Sequence, residues 1–152
     1  MLPRHPGRFR GALVAAVALL GTAACAGNGP ASGPGVQADL SVVIQDPHGT
    51  SSSYTIRCAD SAEASVEGTA GIDARDACRA LARPAVQNRL IRGPSAERVC
   101  TQVYGGPQTA MLSGTLEGQS VNAVVTRDDG CGIGDWDNLL KDILLPVSRG
   151  AR

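Results

Sequence analysis

The chain has 152 residues with 14 basic and 14 acidic side chains, a formal net charge of zero, five cysteines and only 3% aromatic residues. That balance, which turns acidic once the N-terminal segment described below is removed, argues against nucleic acid as a partner, since phosphate binding wants a concentrated positive surface. So few aromatics mean a small core of Val, Ile, Leu and Ala, for which covalent staples are expected.

The N-terminal segment MLPRHPGRFR carries Arg4, Arg8 and Arg10 and leads into the apolar run Gly11–Ala24 of 14 residues. A basic flank, a short apolar stretch and small residues before a cysteine match a secretory signal peptide. A membrane span needs about 20 apolar residues, more than this run supplies. Residues 1–24 are therefore expected to be removed on export. Thr22-Ala23-Ala24-Cys25 resembles a bacterial lipobox, which makes Cys25 the expected lipidation site. Two acyl chains there would hold the protein stably on the outer face of a membrane. Cysteine parity points the same way: without Cys25 four cysteines remain, an even set for an oxidising compartment. Loss of the three leader arginines leaves 11 basic against 14 acidic residues, a net of −3.

Residues 25–37 continue as AGNGPASGPGVQ after Cys25 and are Gly/Pro/Ser-rich, the composition of a flexible tether. One domain is expected over 38–146, with 147–152 as a tail. ADLSVVIQD (38–46) alternates as a strand, PHGT turns the chain, and SSSYTIRC (51–58) is a second strand. An acidic, glycine-containing connection follows. Helical spacing over 72–82 has Asp73 as N-cap, and Pro84 either ends that helix near Ala82 or kinks it into AVQNRLI. RVCTQVY is extended. QTAMLSGTLEG and QSVNAVVTRDDG alternate about a Glu117-Gly118 hairpin turn. DDGCGIGDW is a turn holding Cys131. DWDNLLKDILL closes the chain as an amphipathic helix with Trp136, Leu139, Leu140, Ile143 and Leu144 on one face. The expected fold is α+β: a five-stranded antiparallel sheet with two helices on one face.

Cys58, Cys78, Cys100 and Cys131 allow three disulfide pairings. The most local joins Cys58 to Cys78 and Cys100 to Cys131, each bridge contributing about 3 kcal/mol in the chain-entropy model. Zinc ligation by four thiolates lacks any CxxC pair, so no metal is expected. Enzymatic machinery is poorly represented as well. After export His48 is the only histidine, in a Pro-His-Gly turn, which leaves no partner for a Ser-His or Cys-His pair. Asp128 and Asp129 belong to a turn, and GCGIGDW is not framed by the βαβ unit a nucleotide loop needs. No catalytic residue and no cofactor are expected.

The stretch VCTQVYGGPQTAMLSGTLEGQSVNAVVTRDDGC resembles the bacterial subtilisin inhibitor-like family of secreted serine-protease inhibitors. The upstream order Cys58, helix, Cys78 fits the same family. The resemblance covers most of 38–133 and implies the pairings Cys58–Cys78 and Cys100–Cys131, the sheet and helices above, and commonly a homodimer. It places the reactive bond between Gln102 and Val103, with Val99, Cys100, Thr101 and Tyr104 in the flanking subsites and a subtilisin-like protease as partner. Members of the family usually have a large apolar or basic residue at the position of Gln102. The alternative is a non-inhibitory cell-surface binding module on the same fold.

Overall fold

The computed structural model describes residues 35–146 except 48, 50, 60–62, 69 and 70. The leader, Cys25, most of the tether, His48 and the tail 147–152 lie outside the described residues.

Five strands form one antiparallel sheet: β1 (Ala38–Gln45), β2 (Ser52–Ala59), β3 (Glu63–Glu67), β4 (Thr109–Leu116) and β5 (Gln119–Thr126), in the order β3-β2-β1-β4-β5. The alternation seen in the sequence sets the faces. Leu40, Val42, Ile56, Leu112 and Val125 are fully buried on the inner face, while Ser41, Thr55, Ser113 and Asn122 point to the other side. The β4–β5 hairpin turns at Glu117 (φ 51°) and Gly118 (φ 72°), the left-handed pair of a two-residue turn. Glu117 tolerates this because its N–H donates to the Gln37 carbonyl and its carboxylate accepts from the Gln37 N–H, both at 2.8 Å. Val36, placed in the tether by the sequence, is buried against the core, so the folded domain begins a little earlier than Ala38.

Two helices cover the inner face. Helix α1 (Ala74–Leu81) starts at Asp73, whose carboxylate accepts from the Asp76 N–H at 2.9 Å. Pro84 breaks the chain rather than kinking it. It forces Arg83 into an extended conformation and occupies the first position of α2 (Pro84–Arg92). Disulfide Cys58–Cys78 ties the end of β2 to α1, and Ala77, Ala80, Leu81, Val86 and Leu90 complete the core.

Two local expectations are corrected. The fifth strand is Glu63–Glu67, inside the expected connection, whereas Val99–Tyr104 pairs with no strand among the described residues. A five-residue edge strand such as EASVE exists because β2 offers it hydrogen-bonding partners, which its own sequence barely signals. The closing segment is not one regular helix either. A short helix α3 (Gly130–Gly134) runs into a wide turn over Asp135–Leu139, in which the Leu140 N–H reaches five residues back to the Asp135 carbonyl at 2.8 Å. The widening lets Asp135 and Trp136 both face inward, and Leu140, Ile143 and Leu144 follow into the core. No helix among the described residues is long and apolar enough to cross a membrane.

Tyr54 joins this segment to the sheet: its buried hydroxyl donates to the Ile143 carbonyl at 2.6 Å. Burial pushes its pKa well above the usual phenol value, and a hydrogen bond that its oxygen accepts from the Leu145 backbone offsets this only in part. Above about pH 10 the unfolded chain therefore loses a proton that the folded chain keeps. Stability should fall there by about 1.4 kcal/mol per pH unit from this group. Urea unfolding at pH 9 and pH 11 should show that loss, and Tyr54→Phe should flatten the difference between the two. An equal alkaline loss in the variant would remove Tyr54 as its source.

Candidate functional site

Between α2 and β4 the chain crosses the surface without joining the sheet, and here the predicted reactive residues sit. Val99 is 97% exposed, Val103 58% and Tyr104 64%, and Thr101 and Gln102 are exposed beside them. Three large hydrophobic side chains in six residues face solvent; elsewhere among the described residues Met111 and Val124 are exposed to a lesser degree. The backbone beneath them is held at several points.

Disulfide Cys100–Cys131 joins the segment to α3, closing a sequence separation of 31 residues. One residue on, the Gly130 N–H donates to the Thr101 carbonyl at 2.9 Å. The approach is close: a Cβ at 130 would lie 2.1 Å from the Thr101 hydroxyl oxygen, so a larger residue there would make the exposed Thr101 side chain rotate. Asp129 caps α3 by accepting from the Gly132 N–H at 2.7 Å, which orients Gly130 and Cys131 toward the loop. Both carboxylates of the Asp128-Asp129 pair are thus turn residues, with Asp129 serving as a cap.

The two ends of the exposed segment are fixed by arginines. On the N-terminal side Arg98 binds both carboxylate oxygens of Asp135, at 2.9 and 3.0 Å. Asp135 is buried, and Arg89 of α2 holds it from the other side at 2.6 Å while reaching the Val124 carbonyl of β5 at 3.0 Å. On the C-terminal side the Gly105 N–H donates to the Arg127 carbonyl at 2.8 Å. The Arg127 side chain donates back to the Gly105 carbonyl at 3.3 Å. Its guanidinium also forks onto Asp137 and lies 5.7 Å from the centre of the Trp136 ring.

All six predicted loop residues are therefore brought to one surface, with Cys100 at its attachment point. The arginine-carboxylate anchors were missed by sequence reasoning. Arg98, Arg127, Asp135 and Asp137 are spread over 40 positions, and nothing in their local spacing pairs them. Among the described residues, one group of potential metal ligands comes together: Cys100, Asp129 and Cys131. Both sulfurs are consumed by the disulfide, so the group does not suit a metal. Comparison with protein-family models, with curated proteins and with solved structures finds no match for this chain.

Proposed function

We propose that this chain is an exported inhibitor of subtilisin-like serine endopeptidases that acts through a substrate-like loop, with Gln102–Val103 as the reactive bond. It acts as a ligand, with no cofactor and no catalytic residue of its own. Export follows the leader over 1–24, and Cys25 is the proposed lipid attachment that holds the domain at the outer face of the membrane. The observation that carries the reading is an exposed Val99–Tyr104 segment whose backbone is fastened on both sides and stapled at Cys100. It is supported by the resemblance of VCTQVYGGP to the reactive segment of subtilisin inhibitor-like proteins.

The chemistry follows from that fastening. An extended segment adds to the edge of a protease's substrate cleft through main-chain hydrogen bonds. Order already present in the free loop is order that binding does not have to supply, so rigidity becomes affinity. The protease serine attacks the Gln102 carbonyl, and the Val103 amine is the leaving group. Val103 stays near its starting place because Gly105, two residues on, is bonded to Arg127. Gln102 is restrained by Cys100 and Thr101 on the other side. The amine can then return to the acyl carbon and expel the serine, restoring the peptide bond.

Titration of a subtilisin-type protease with the purified domain tests this. The expected result is stoichiometric loss of activity, with slow appearance of one nick that ends at Gln102 and starts at Val103. A domain that neither inhibits nor is cut at this bond would instead be a non-inhibitory binding module.

A further inference from the structure

The exposed loop and the wide turn Asp135–Leu139 are far apart in sequence, yet both loop ends are linked to that turn, one directly through Arg98 and the other through Arg127, which is bonded to Gly105. Arg98 reaches Asp135 and Arg127 reaches Asp137, two residues further along the same turn. The two contacts differ in kind. Asp135 is buried, 8% of its side chain exposed, and is shared with Arg89 of the helical layer. Asp137 is more exposed, and the arginine it holds is itself buried and bonded to the Gly105 carbonyl. A regular helix over 135–139 would leave Asp135 off the apolar face that carries Trp136, Leu140 and Ile143. The five-residue backbone closure turns it inward beside Trp136.

We infer that the Asp135–Leu139 turn is the seat of the reactive loop, with Arg98 and Arg127 as positioning residues that set its two ends. The inference rests on the inhibitor reading and adds to it a second fastening independent of the disulfide. Cys100–Cys131 fixes the segment near its N-terminal end, at its second residue. Arg98 lies one residue before fully exposed Val99 and fixes where the loop leaves the core. One guanidinium nitrogen of Arg98 reaches both oxygens of the buried Asp135 carboxylate, which ties the start of the loop to the turn at a fixed distance. Removing the Arg98 side chain leaves Asp135 still paired with Arg89, so the buried carboxylate keeps a partner and the core is expected to survive.

The test compares wild type with Arg98→Ala and Arg98→Lys by 15N relaxation at Gln102, Val103 and Tyr104, alongside subtilisin inhibition. Wild-type order parameters should lie near the rigid value of about 0.85, and Arg98→Ala should bring them to about 0.6 or below while strand β1 is unchanged. The subtilisin inhibition constant should rise at least about tenfold, a loss on the order of 1.4 kcal/mol. Arg98→Lys should recover part of both, since it keeps the charge that Asp135 pairs with but not the planar guanidinium. A merely structural role would lower the melting temperature and leave loop order and inhibition untouched. If loop order falls but neither protein inhibits, the seat stands and the inhibitor reading fails. If the folded variants keep a wild-type loop, the seat is overturned whatever the inhibition shows. Should Arg98→Ala fail to fold, Arg127→Gln applies the same measurements to the opposite end.

Discussion

A Cys100→Ser, Cys131→Ser double variant is expected to change from a slowly nicked inhibitor into a rapidly consumed substrate of subtilisin. The bridge closes 31 residues, which in the chain-entropy model corresponds to about 3–4 kcal/mol of stability. Denaturant midpoints should register that loss, with Cys58–Cys78 still holding β2 to α1. The larger effect is expected at the loop. Without the bridge, Gln102 keeps only the Thr101–Gly130 backbone bond and the Arg98 anchor on its N-terminal side. After cleavage the new ends then separate more readily, religation loses to hydrolysis, and the nick accumulates. Mass spectrometry of a timed digest should show Gln102 and Val103 as the new termini. A variant that is destabilised but nicked no faster than wild type would confine the bridge to a structural role.

The second large effect is expected at Gln102. Its side chain is exposed and central in the segment, so in the proposed complex it enters the protease's primary pocket. A subtilisin-like pocket is broad and mostly apolar, and glutamine fills it with a polar amide that loses water on entry. Gln102→Met or Gln102→Leu should tighten subtilisin binding by about 1–3 kcal/mol, roughly 5- to 150-fold. A trypsin-like pocket carries a buried carboxylate, for which glutamine supplies no charge, so the wild-type domain should bind trypsin poorly. Gln102→Lys should create trypsin binding through that ion pair. Being exposed, position 102 should accept all three changes with stability nearly unaltered. Inhibition constants for both enzymes against the four proteins decide the matter. Unchanged values throughout would place Gln102 outside the pocket and favour the binding-module alternative.

Much of the sheet was legible in the sequence because its information is local. Residues 38–45, 52–59, 109–116 and 119–126 alternate apolar and polar side chains, and a strand with one buried face imposes that period. Glu117-Gly118 announced the hairpin and Asp73 the start of α1, while Pro84 signalled an interruption without showing that a second helix begins there. The α+β architecture and both disulfide pairings agree with the structure. The pairings came partly from the resemblance, since spacing alone left three choices.

Tertiary structure decided the remainder, for reasons that single positions do not carry. EASVE became a strand because β2 had an unpaired edge. VCTQVY has strong strand propensity yet stays out of the sheet, tied instead to α3 and the wide turn. The closing segment had a sound helical period, but a buried carboxylate shared by Arg89 and Arg98 favours a wider turn that brings Asp135 inside. Local pattern specifies which face of an element is apolar. It does not specify which distant charge an arginine will meet, because that depends on the packed positions of α2, β5 and the turn together. The extended character of Val99–Tyr104 was thus written in the sequence, while its fastening at both ends exists only in the folded chain, where Arg98 meets Asp135 and Arg127 meets Asp137.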